Sequence, residues 1–161
     1  MNSEGCADHR RVIYTLGTST RGMDDFIGIL EARGIARLCD VRSFPSSKRY
    51  PQFSRELFAA SVLGAGIDYV WLGKQLGGHR KGGYEAHMET ADFKEGLEEL
   101  ERLASEAPSV VVCAEALPGR CHRRFIAGAL EERGWEVVHI IDAGRDWVPG
   151  ERKTTLPLFE E

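Results

Sequence analysis

The run Val110-Val-Val-Cys113-Ala-Glu115-Ala-Leu-Pro-Gly-Arg-Cys121-His122-Arg123-Arg124 brings two thiols, a carboxylate, an imidazole and three guanidinium groups into one short stretch. An apolar run ends in Cys113 and Glu115, a Pro-Gly loop follows, and Cys121 and His122 open the next helix. Backbone amides at a helix start favour anions and lower the pKa of a thiol placed there. Glu115 is the candidate general acid or base, with His122 or Asp40 assisting. Cys113 or Cys121 is the candidate nucleophile, and the sequence does not choose between them. The plainer alternative, a buried Cys113 at a strand end with its arginines in water, stays open.

Spacing narrows the chemistry. The gap from Cys113 to Arg120 is one residue longer than a cysteine phosphatase uses. The pattern Cys-x7-Cys-His fits no closed zinc site, so no metal ligand is assigned. The cofactor is undetermined.

Other polar residues also follow apolar runs. Gly17-Thr-Ser19-Thr-Arg21-Gly22 lies between a strand and a helix, where amides can cradle phosphate. It is neither a Walker loop nor the dinucleotide fingerprint, because Met23 and Ser19 stand where Lys and Gly are needed. An ordinary turn serves the same sequence. Asp40-Val-Arg42-Ser43 places a carboxylate and a guanidinium on one strand face, as either a salt bridge or a substrate contact. Gly77 and Gly78 belong to a glycine-rich stretch from Gly73 to His87, long enough to suggest function. The substrate-binding set is therefore Ser19, Arg21, Arg42, Ser43, Gly77, Gly78 and Arg123.

The elements that must position these residues read as alternating strands and helices. Strands are expected at 12–16, 35–41, 67–72, 109–113 and 136–141, with helices between them. Such alternation implies a single-domain α/β fold of Rossmann-like type. Its sheet would be open and mainly parallel, with about five strands and helices on both faces. Residues 11–143 form this domain, 1–10 a polar tail and 144–161 an extended tail. The gathering of polar residues after strands predicts a site at the carboxyl edge of the sheet.

A net charge of -4 argues against coating nucleic acid non-specifically but leaves room for a local basic site. The four cysteines are irregularly spaced, and no apolar run of membrane-spanning length occurs. A cytoplasmic protein with reduced thiols and no membrane contact is expected.

Several blocks in order resemble family 488 of the domains of unknown function, over about residues 12 to 142. They are Thr15-Leu-Gly17-Thr-Ser19-Thr-Arg21, Asp40-Val-Arg42-Ser43-Phe-Pro45-Ser and Pro51-Gln-Phe53. Tyr69-Val-Trp-Leu72-Gly73, Leu76-Gly77-Gly78, Cys113-Ala-Glu115 and Cys121-His122-Arg123 continue the series. The family often has His where this chain has Thr18. The resemblance implies a compact α/β domain and supplies no reaction.

Near the end, Thr155-Leu156-Pro157-Leu158-Phe159 resembles the bacterial sliding-clamp peptide, with Thr155 in place of its Gln. Leu156, Leu158 and Phe159 would be the anchors. These features predict an enzyme acting on an anionic substrate, a nucleotide or nucleic acid, with the arginines holding phosphate. The alternatives are a non-catalytic nucleotide- or DNA-binding module and a thiol-based redox or metal protein.

Overall fold

The computed structural model describes residues 11–43, 49–78, 80–115 and 121–149. The expected N-terminal tail and Leu156, Leu158 and Phe159 lie outside the described residues, as does Arg120.

Six strands form one sheet: β1 (Arg11–Gly17), β2 (Arg37–Asp40), β3 (Asp68–Trp71), β4 (Ser109–Cys113), β5 (Trp135–Asp142) and β6 (Arg145–Trp147). Their spatial order is β3-β2-β4-β1-β5-β6. All pairings are parallel except β5 with β6. β4 sits inside, and every one of its residues is buried. Its Val-Val-Val run suits that place, because a strand covered on both faces needs apolar side chains at consecutive positions.

The helices are α1 (Met23–Ala32), α2 (Arg55–Gly64), α3 (Gly73–Leu76), α4 (Tyr84–His87), α5 (Ala91–Glu106) and α6 (Arg123–Glu132). Two hydrophobic layers sandwich the sheet. In one, Leu97 and Leu100 of α5 and Ile126 and Leu130 of α6 meet Ile13, Val111 and Val137. In the other, Phe26 and Leu30 of α1 and Phe58 and Val62 of α2 meet Leu16, Leu38 and Val112. The rings of Phe26, Phe53 and Phe58 pack edge to face within that second layer. Thr90 caps α5, its Oγ1 accepting from the Phe93 N–H at 3.2 Å.

The mixed, mainly parallel α/β fold agrees with the sequence reading. The sheet has one strand more than expected. Residues 145–147, read as the start of an extended tail, pair with β5 through a tight turn. Asp142 Oδ1 closes that turn by accepting from the Gly144 N–H at 3.1 Å. The glycine-rich stretch after β3 is not plain loop either, since α3 and α4 occupy part of it. No helix among the described residues is long and apolar enough to cross a membrane.

β1 and β4 are neighbours, and Gly17 pairs with Cys113. The chain leaves β1 for α1 on one face and β4 for α6 on the other. Loops that diverge in this way open a crevice at the carboxyl edge, the usual ligand position in such sheets.

Candidate active site

Cys121 and His122 stand at the start of α6, at this crevice. Cys121 Sγ accepts from the Arg123 backbone N–H at 3.4 Å, an amide of the helix N-terminus. His122 Nδ1 faces the same sulfur at 3.5 Å. The other ring nitrogen, Nε2, donates to the Val41 carbonyl at 2.9 Å. That bond leaves Nδ1 free to take the thiol proton. The Cys113 thiol also hydrogen-bonds the Cys121 sulfur. These donors, Cys113 first and His122 next, pull the Cys121 thiol down to about 4 against the opposing effect of its burial. Burial and the shared hydrogen bond push Cys113 well above the ordinary thiol range. Of the two candidate nucleophiles, the surroundings favour Cys121 as the thiolate.

The glycines set how closely the imidazole can be held. A Cβ on Gly78 would lie 2.8 Å from His122 Nδ1, and one on Gly77 would lie 2.2 Å from Ser43 Oγ. The Tyr84 ring packs on the other residues of this wall, 5.3 Å from His122 and 5.5 Å from Phe125 between centroids. Gly77 and Gly78 thus have a packing reason to be glycine, separate from any substrate contact.

Arg123 lies under the crevice and is fully buried. Its guanidinium donates to Thr15 Oγ1 at 3.0 Å and to the Glu115 carbonyl at 2.8 Å. Thr15 Oγ1 in turn meets His139 Nδ1 at 2.6 Å. The chain Arg123–Thr15–His139 therefore ties α6, β1 and β5 together. Burial, helped by the Arg123 charge, lowers His139 to about 3, so the imidazole is neutral. Its ring stacks on Trp147 of β6, with centroids 5.4 Å apart. The structure places Arg123 as a positioning residue for the loop after β4. The Glu115 side chain itself is exposed.

Asp40 and Arg42 sit at the same edge, with the Arg42 side chain toward the layer opposite the thiols. Asp40 is fully buried, and its oxygens accept from Arg42 Nε at 2.9 Å and Nη2 at 2.8 Å. Tyr69 donates its hydroxyl to Asp40 Oδ2 at 2.5 Å. The Arg42 guanidinium lies 5.2 Å over the Phe58 ring, which belongs to the α1/α2 layer. Burial opposes its charge, but Asp40 more than compensates and raises the Arg42 pKa. Between the two sequence readings of this pair, the geometry is that of a salt bridge. Cys113, by contrast, packs in the α5/α6 layer with Cys121.

The loop after β1 spends its amides on protein. Thr18 N–H donates to the Cys113 carbonyl at 2.8 Å and Ser19 N–H to the Ala114 carbonyl at 2.9 Å. Ser19 takes a left-handed φ of 50° to do so, a conformation unusual for a residue with a side chain. Arg21, half-buried, donates from Nε to the Gly17 carbonyl at 2.9 Å and from Nη2 to the Ile141 carbonyl at 2.8 Å. Burial lowers its pKa, with Asp142 acting in the opposite sense. The loop thus braces β1 against β4 and β5, and Arg21 stands at the rim of the crevice.

The structure brings together Cys113, Cys121, His122, Arg123, Glu115, Ser19 and Arg21 around the ends of β1 and β4, while Asp40 and Arg42, on either side of the Val41 that His122 bonds, turn their side chains to the α1/α2 layer. Among the described residues no group of three or more His, Cys, Asp or Glu side chains could hold a metal ion. The profile of the domain-of-unknown-function family DUF488 matches residues 22–130. The chain belongs to the DUF488 family. No curated protein and no solved structure matches it. The DUF488 match begins at Gly22, the last residue of the loop that follows β1, and ends within α6, so it takes in the Cys113 to Arg123 segment. The sequence reading of this DUF488 chain missed Thr15 and Tyr69. Each is an ordinary strand residue whose role shows only through a distant partner.

Proposed function

We propose that the chain is a small thiol-dependent enzyme acting on an anionic substrate of the nucleotide or nucleic-acid class. Cys121 is the nucleophile, and the observation that carries this is its sulfur between His122 Nδ1 and the Arg123 amide. His122 takes the thiol proton, and the electrophile then bonds to Sγ while its leaving group departs with that proton. Arg21 at the rim and the N-terminus of α6 supply the positive potential that draws an anion. Glu115, exposed at the same edge, is the general acid or base for the bound substrate. The geometry favours Cys121 over Glu115 as the central group, because Cys121 is held on several sides.

Alkylation with iodoacetamide, followed residue by residue by mass spectrometry, tests this. The Cys121 rate should be flat from about pH 6 to 9, since its thiolate is already formed. Cys39 should stay unlabelled, because burial pushes its thiol up to about 12. In Gly78→Ala, where the new Cβ displaces the imidazole, the Cys121 profile should move toward that of an ordinary thiol. A wild-type Cys121 rate that climbs with pH like a free thiol overturns the proposal. Against nucleotide and oligonucleotide electrophiles, Cys121→Ser should lose turnover and keep binding.

The proposal extends to a sliding clamp as partner, supported by the order of Leu156, Leu158 and Phe159 in the sequence. Calorimetry with a peptide of residues 153–161 should show binding of roughly micromolar strength. A Leu158→Ala/Phe159→Ala peptide should show none, and equal binding by both would end this part of the proposal.

A further inference from the structure

The thiolate proposed above has a second thiol as its neighbour. Cys113 ends β4 and Cys121 precedes α6, and both thiols gather at Arg123: the Cys113 thiol faces the Glu115 carbonyl at 3.8 Å, that carbonyl accepts from Arg123 Nη2 at 2.8 Å, and the Arg123 N–H donates to Cys121 Sγ at 3.4 Å. Both are free cysteines and both pack in the α5/α6 layer. Cys39, the remaining free cysteine among the described residues, lies within β2.

We infer that Cys113 and Cys121 form a reversible redox pair, in which a hydroperoxide oxidises Cys121 and Cys113 resolves it as an internal disulfide. The inference rests on the reading of Cys121 as the reactive thiolate. In the first step Cys121 Sγ attacks the outer oxygen of the hydroperoxide. The S–O bond forms, the O–O bond breaks, and the alcohol or water leaves with a proton, giving a sulfenic acid. In the second step Cys113 Sγ attacks Cys121 Sγ. The S–S bond forms, and the hydroxyl departs with the Cys113 proton as water. The two sulfurs together supply the two electrons that reduce the peroxide. Two equivalents of a low-molecular-weight thiol restore both cysteines and leave as its disulfide.

The environments divide the roles. Cys121 has the amide and imidazole that hold a thiolate, and is the more exposed of the pair at 8% against 1% for Cys113. Cys113 is enclosed, with its thiol 3.8 Å from the Glu115 carbonyl. Disulfide formation consumes the nucleophile, so the same event switches off the site and shields Cys121 from irreversible oxidation.

The full chain is treated with hydrogen peroxide, blocked with iodoacetamide, digested and analysed by mass spectrometry. Cys6→Ser serves as the background, to remove the cysteine of the N-terminal segment. The expected product is a Cys113–Cys121 cross-linked peptide lacking two hydrogens and reversed by dithiothreitol. In Cys113→Ser, Cys121 should be trapped by dimedone as the sulfenic acid and then proceed to sulfinic acid. Dimedone trapping of Cys121 with Cys113 still present, and no internal disulfide, overturns the pairing. The protein with Cys113 intact decides alone, so the outcome does not depend on how well the variant folds. If Cys121 alkylates at low pH yet no disulfide forms, the redox inference falls and the nucleophile reading stands. If Cys121 titrates as an ordinary thiol in the alkylation profile, the nucleophile reading fails before peroxide is added.

Discussion

Arg123→Ala should cost about 3–5 kcal/mol of folding stability. The side chain is fully buried, and its guanidinium donates to both Thr15 Oγ1 and the Glu115 carbonyl. Truncation leaves a large void and takes one partner each from Thr15 Oγ1, which keeps His139, and from the Glu115 carbonyl. A domain of this size has a net stability of only about 5–15 kcal/mol, so the loss is a large share of it. Arg123→Lys should recover only part, since an ammonium cannot replace a fork that serves two acceptors. Urea unfolding measures both. A cost below about 1 kcal/mol for Arg123→Ala would mean that the arginine does not tie α6 to β1 and β5. Its sequence-based role, gripping an anion, would then regain its place.

Stability should also fall steeply in acid, and His139 should account for much of the fall. Its folded pKa is about 3, well below the 6.5 of a free imidazole. Between these values the unfolded chain binds a proton that the folded chain refuses. Stability contributed by the neutral ring is therefore complete above pH 6.5 and is lost as pH falls toward 3. From neutrality to pH 3.5 the loss is on the order of 4 kcal/mol. His139→Asn keeps an acceptor for Thr15 and cannot take up the proton. Urea midpoints across this range should fall less in His139→Asn than in the wild type. Equal slopes for the two proteins would show that His139 is not the group responsible.

Much of the fold was legible because its signals are local. Val110 to Cys113 reads as a buried strand from composition alone, and the strand-helix alternation implies the mainly parallel sheet that is found. β6 was not legible. Arg145-Asp-Trp147 has no alternation to detect, and its pairing depends on a turn built by the Asp142 side chain. The site was legible as a set of residue types but less so as roles. Arg42 and Arg123 look alike in sequence, as cations just after strands or at a helix start. Their partners lie far off: Tyr69 reaches Asp40 across 29 positions, and Thr15 reaches Arg123 across 108. Burial of a charge is a property of that distant company, so it escapes any local reading. Gly78 likewise looks like loop punctuation until the His122 ring is set against it.

The strand order has a consequence for how the polypeptide emerges from the ribosome. β4 lies between β1 and β2, so the first two strands made never touch within the sheet. β1 meets its neighbours only when Val110 and then Val137 arrive to pair with Tyr14 and Ile13. A nascent chain that ends before Ser109 can pair β2 with β3 and nothing more. Its β1 and one side of β2 keep open backbone edges, the kind that join to other chains. High contact order of this sort delays closure of the core until β4 and β5 have been made. The strand that carries Cys113 is thus also the keystone of the sheet, and the crevice does not exist until it is inserted.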